Sequence, residues 1–153
     1  MATKNTMKKI VIYTDGACQG NPGPGGWAAI LYYENHQREL SGGISQTTNN
    51  RMEMTAAIEA LSAVKTKSHI TLHTDSEYVR QGITSWIHSW KEKNWKKSDN
   101  KPVKNADLWK KLDDISQQHE ISWKWVKGHS GHPENEAADA LAKKAMLAHL
   151  AKA

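Results

Sequence analysis

A single cysteine, Cys18, stands in a chain of 153 residues. One thiol can neither close an internal disulfide nor build a cysteine-based zinc site, so a disulfide scaffold and a zinc finger are excluded. Apolar residues make up only 38% of the chain. They never run long enough to approach the roughly 20 residues of a membrane-spanning helix. The opening MATKNTMKK carries no apolar stretch of the signal-peptide kind. The apolar share is still too high for a disordered chain, and a domain of this size buries about 70% of the surface its unfolded chain exposes. The expectation is a polar, loose segment over 1–6 and one domain over 7–153. It should be soluble and cytoplasmic, monomeric, with no membrane and no obligate protein partner.

What the chain does have is positive charge in one place. The formal net charge is +5, and the segment KEKNWKKSDNKPVK, Lys91 to Lys104, carries +4 of it. Seven tryptophans are many for this length, and Trp86, Trp90 and Trp95 lead into that run. Rings beside lysines suit a nucleic acid, because bases and sugars stack while phosphates pair. A solvated segment whose tryptophans face the core explains the same pattern.

Periodicity orders the elements. Lys8 to Thr14 reads as a strand closed by Asp15-Gly16. Gly20 to Gly26, GNPGPGG, reads as a turn cluster that tolerates neither helix nor strand. Trp27 to Tyr33 and Glu39 to Ile44 continue a meander. Thr48 to Asn50 offers caps for a helix with Met54, Ala57, Ile58, Leu61 and Val64 on one face. His69 to Thr74 alternates as a strand closed by Asp75. A helix through Val79, Ile83, Trp86, Ile87 and Trp90 follows, with Gly82 a possible break. Asn105 can cap another helix, bearing Leu108, Leu112 and Ile115. Ile121, Trp123 and Trp125 alternate as a last strand. Gly128 to Pro133 is a loop, and Pro133 suits the first turn of a final helix through Leu141, Ala145 and Met146. Three meandering strands followed by helix-connected strands predict a mixed α/β sheet covered by helices, its first and fourth strands parallel neighbours. Ligands of open α/β sheets sit where such strands end and the chain leaves in opposite directions.

Asp15 and Asp75 each follow the last threonine of a strand, IYTD and LHTD. Neighbouring strands about 4.8 Å apart bring the two carboxylates close. Like charges placed together need a proton or a cation between them, and oxygen donors suit Mg²⁺ or Mn²⁺. Glu53, in the first turn of the preceding helix, and Asp139, early in the last helix, could reach the same point. Four converging acids require more than one cation, and two Mg²⁺ about 4 Å apart form the clamp used for phosphodiester cleavage. His129, between Gly128 and Gly131, titrates near neutrality and can move protons. His132 is weaker, being next to Pro133. Taken singly, each of these residues has an ordinary structural explanation: a turn, a helix start or a solvated surface.

At this point the chain closely resembles bacterial ribonuclease H type 1. The segments that carry the resemblance are YTDGACQGNPGPGGWAAIL, TTNNRMEMTAAIEAL, TDSEYVRQGITSWIHSW, KPVKNADLW and WVKGHSGHPENEAADALA. It implies a five-stranded mixed sheet of order 3-2-1-4-5 with helices on both faces. It implies hydrolysis of the RNA strand of an RNA–DNA hybrid with two Mg²⁺, Mn²⁺ being a substitute, leaving 5′-phosphate and 3′-hydroxyl ends. Asp15, Glu53, Asp75 and Asp139 match the family's metal-binding carboxylates, and His129 its loop histidine. Gly16, Cys18, Asn21, Asn49, Asn50 and the position of Glu77 match contacts to the hybrid's minor groove. Thr48 matches its phosphate pocket, in which Gln46 and Ser89 hold the other two positions. The protrusion over 86–104, with Trp86, Trp90, Lys91, Lys93, Trp95, Lys96 and Lys97, matches the part that holds the DNA strand. Three positions depart. Glu77 stands where Gln is common and Ser89 where Asn is common, while Gln46 replaces a basic residue. Each departure is expected to weaken hybrid binding rather than the chemistry. A non-catalytic hybrid- or RNA-binding module and another nuclease on this fold, a resolvase or transposase, are the alternatives.

Overall fold

The computed structural model describes residues 7–97, 99–126 and 133–151. His129 and His132 lie outside the described residues. Strands β1 (Lys9–Cys18), β2 (Gly23–Tyr33), β3 (His36–Thr47), β4 (His69–Thr74) and β5 (Glu120–Trp125) form one sheet, ordered β3-β2-β1-β4-β5. β1, β2 and β3 pair antiparallel, whereas β4 runs parallel to both β1 and β5. The expected mixed sheet and its strand order are therefore present.

Three strands run longer than the sequence pattern predicts. β1 continues through Asp15 and Gly16 to Cys18, because β2 pairs with it to that point. Asp15 therefore sits within a strand, where Ala28 is its partner, rather than closing one. What ends at this level is the parallel pairing with β4, whose last registered pair is Tyr13 with His73. β3 spans His36–Thr47, beyond the expected Glu39 to Ile44, since its edges pair with both ends of β2.

The glycine cluster is the clearest correction. β2 begins inside it, at Gly23. A Cβ on Gly25 would lie 2.9 Å from the Met52 side chain, whereas one on Gly26 would lie 2.3 Å from the Ala142 carbonyl. Successive strand residues point to opposite faces. These two glycines thus let a helix approach on each side of the sheet: α1 (Asn49–Ala63) on one, α5 (Pro133–Ala151) on the other. They serve close packing, not a turn.

Ile10, Ile12, Ala29 and Leu31 of the sheet pack with Met54, Ala57, Ile58 and Leu61 of α1, and this core continues through Ile70 and Leu72 to Trp109. Thr48 caps α1 as expected, its hydroxyl accepting from Arg51 N–H at 3.2 Å. After β4 come α2 (Glu77–Gln81), a single π-helical turn (Gly82–Trp86) and α3 (Ile87–Glu92). The helical period survives, and the irregularity falls at Gly82, where an added Cβ would lie 2.0 Å from the Trp109 ring. Such insertions are how α-helices accommodate a close neighbour.

Asn105 precedes α4 (Ala106–Ser116) but does not cap it with its side chain. Its φ is 61°, a left-handed conformation that asparagine tolerates. Its amide instead accepts from Arg51 at 3.1 Å and donates to the Tyr78 hydroxyl at 3.1 Å. That joins α4 to α1 and α2. Pro133 opens α5, where its missing N–H costs no hydrogen bond.

Candidate active site

Parallel pairing of β1 and β4 sets Asp15 and Asp75 at one end of the sheet, and α1 brings Glu53 over them. The approach of α1 depends on Gly16, where a Cβ would stand 2.7 Å from the Glu53 backbone nitrogen. Gly16, matched to a contact with the hybrid's minor groove, thus also makes room for a helix. One carboxylate oxygen from each of Asp15, Glu53 and Asp75 lies within 4.8 Å of the others. Asp15 is 2% exposed and Glu53 5%. Asp15 Oδ2 and Glu53 Oε1 are buried without a hydrogen-bond partner.

Such a cluster cannot stay fully ionised by itself. Burial, then the charge of Asp75, then a hydrogen bond with Asp139 push the Asp15 carboxyl up to about 9. Glu53 is raised well above its ordinary value, first by burial and then by the charges of Asp15 and Asp75. Asp139 therefore joins the group through Asp15, and its Oδ2 also meets Lys143 Nζ at 3.1 Å on the next turn of α5. Buried oxygen donors that lack partners and repel one another fit a hard divalent cation. The sequence pattern thus brings together all four acids, with His129 outside the described residues.

The RNase H family profile matches residues 7–147. The chain belongs to the ribonuclease H family. It is 60% identical to the ribonuclease H of Chelativorans sp. over 92% of this chain and 86% of that one. It is likewise 60% identical to that of Citrobacter koseri, over 92% and 91%. Among solved structures, a type 1 ribonuclease H named LC9-RNase H1, with the type 2 active-site motif, superposes at a TM-score of 0.86, with 31% identity over 95% of this chain and 75% of that one. LC11-RNase H1 in complex with an RNA/DNA hybrid gives 0.68, with 25% identity over 92% and 99%.

Around the acids, several residues matched to the family's hybrid contacts also brace this fold. Cys18 Sγ lies 3.5 Å from the Thr47 carbonyl and 3.6 Å from that of Gly23, and burial pushes its thiol up. Asn21 Oδ1 accepts from Asn49 N–H at 3.1 Å, tying the loop after β1 to the start of α1. Asn50, Gln46 and Ser89 are exposed. Glu77, expected to weaken hybrid binding, is paired with Arg80 at 2.7 Å, so its charge is compensated locally.

The tryptophans divide between the two explanations. Trp90 and Trp95 pack partly buried against the core, whereas Trp86 is 37% exposed. Trp86, Trp90 and Trp95 still form one row of rings, with centroids 5.9 and 6.5 Å apart. Lys91 is held by Asp113 at 3.0 Å and Lys97 lies 4.0 Å from Asp99. Lys93 and Lys96 are exposed and have no ion pair among the described residues. The sequence offered no sign that Lys91 is already engaged.

Proposed function

We propose that this chain hydrolyses the RNA strand of RNA–DNA hybrids in a divalent-cation-dependent reaction that leaves 5′-phosphate and 3′-hydroxyl ends. The observation that carries the reading is the convergence of Asp15, Glu53 and Asp75, with a buried, unpartnered oxygen on each of the first two. These three, with Asp139, would hold the cations. Two Mg²⁺ there, or Mn²⁺ in their place, would activate a water and stabilise the leaving oxygen. The chain's own residues do the rest. The acids fix the cleavage point. His129 moves the proton. Gly16, Asn21, Asn49 and Asn50 meet the minor groove, where amides that donate and accept suit 2′-hydroxyls, the groups that tell RNA from DNA. The minor groove carries little sequence code, so cleavage should be nearly sequence-independent. Trp86 and the protrusion lysines hold the DNA strand. We place the protein in the cytoplasm as a monomer.

One assay tests this directly: labelled RNA–DNA hybrid, double-stranded RNA and double-stranded DNA, each with Mg²⁺ and with EDTA. Cleavage of the hybrid alone, abolished by EDTA, is expected. Binding without cleavage would mean a binding module, and cleavage of DNA another nuclease.

Two further results are expected. Replacing Lys93 and Lys96 by glutamine should weaken hybrid binding evenly across sequences. The salt dependence should flatten by roughly 0.9 log units per lost phosphate contact, on the B-form scale. An unchanged slope in a salt titration would show that these lysines miss the phosphates. Gln46→Arg with Ser89→Asn should restore the phosphate pocket and lower KM about threefold to tenfold, the net worth of roughly one ordinary hydrogen bond. An unchanged KM would show that the pocket is not weakened by these residues.

A further inference from the structure

Asp75 follows the last residue of β4 and precedes α2, where the chain changes direction. Nothing in regular secondary structure fixes its peptide there, yet its neighbours do. The Thr74 carbonyl accepts from Val126 N–H at 2.8 Å. Ser76 N–H donates to Thr74 Oγ1 at 3.0 Å, and Ser76 Oγ in turn caps α2 by accepting from Val79 N–H at 3.1 Å. The Asp75 carbonyl accepts from the Trp125 indole Nε1–H at 3.3 Å. Both polar groups of the Asp75–Ser76 peptide are thus held by side chains, one from β4 itself and one from the end of β5.

Trp125 is otherwise hard to explain. It is 44% exposed, a large ring left half in water at the rim of the carboxylate cluster. Ile121 and Trp123, which share its face of β5, pack against the core, but Trp125 lies beyond it. Beyond its strand pairing with Thr74, its indole N–H bonds to the backbone of Asp75, one of the three converging carboxylate residues.

We propose that Trp125 is a positioning residue: its indole N–H locks the Asp75 peptide, and so aims the Asp75 carboxylate at the cation shared with Asp15 and Glu53. The inference rests on the metal-dependent reading above. Groups that orient metal ligands from behind typically change metal affinity by about tenfold to a hundredfold when removed. Trp125 acts on the backbone rather than the carboxylate, so the lower end applies.

The test compares the wild-type chain with Trp125→Phe, and with a chain carrying 3-benzothienylalanine at 125, which keeps the ring's shape but replaces N–H by sulfur. Mn²⁺ binding is measured by calorimetry without nucleic acid, and hybrid cleavage is measured against Mg²⁺ concentration. Both variants should bind Mn²⁺ about tenfold more weakly and need correspondingly more Mg²⁺ for half-maximal rate. KM for hybrid at saturating Mg²⁺ should not change. Unchanged Mn²⁺ affinity overturns the proposal. So does a raised KM with unchanged metal affinity, which would make the ring a nucleic-acid contact. Should Trp125→Phe fail to fold, the sulfur variant decides alone. A wild-type chain that takes up Mn²⁺ and cleaves beside unaffected variants sinks the positioning role only. A wild-type chain that does neither sinks the functional reading, and the positioning role with it.

Discussion

Asp15→Asn should abolish hybrid cleavage while making the metal-free protein more stable at neutral pH. The activity loss follows from position: Asp15 shares one point with Glu53 and Asp75 and touches Asp139. An amide there carries no charge to hold a cation. The stability gain follows from the same crowding. The Asp15 carboxyl is raised from 3.8 to about 9 in the folded state, first by burial and then by Asp75. A raised acid favours folding fully below its unfolded value, and that advantage is lost as pH rises through the folded value. Without metal, stability should therefore fall between about pH 4 and pH 9. The amide of Asp15→Asn stays uncharged across this range, so the fall should flatten. The gain at pH 7 should be on the order of 2–4 kcal/mol. Urea unfolding in EDTA across this pH range checks it. Full turnover, or a pH profile as steep as that of the wild type, would contradict the assignment.

Gly16→Ala should harm both fold and activity through one methyl group. Its Cβ would stand 2.7 Å from the Glu53 nitrogen and 2.8 Å from the Met52 carbonyl carbon, both backbone atoms of α1. Backbone cannot swing aside as a side chain can, so α1 must move. Overpacking of this kind costs about 1–3 kcal/mol, and the displaced helix carries Glu53 away from Asp15 and Asp75. Misplacement by about 1 Å can cost roughly a hundredfold in rate. Thermal unfolding and kcat together test this. A variant as stable and as active as the wild type would mean that α1 does not need this close approach.

The acids were legible in the sequence because two strands repeat one pattern, threonine then aspartate, and because parallel neighbours must bring such ends together. Glu53 was expected in the first turn of its helix, but Thr48 rather than Asn50 is the cap, so α1 starts at Asn49 and Glu53 stands on the second turn. The manner of convergence was not legible: Asp15 lies within β1, since antiparallel pairing with β2 outlasts parallel pairing with β4. Glycines misled for a physical reason. A glycine chosen for turning and one chosen for close approach look alike in a sequence, and only the helices over Gly25 and Gly26 distinguish them. Asn105 is similar, a helix-start residue whose amide is spent on Arg51 and Tyr78 instead. Trp125 read as one more alternating strand residue, because its bond to the Asp75 carbonyl links positions 50 residues apart.

Whether these carboxylates hold a divalent cation between them is decided most directly by the anomalous scattering of crystals grown with Mn²⁺. A peak about 2.1 Å from oxygens of Asp15, Glu53 and Asp75 is expected. Fully occupied Mn²⁺ elsewhere on the protein, with no peak between these three, would contradict the metal-binding role.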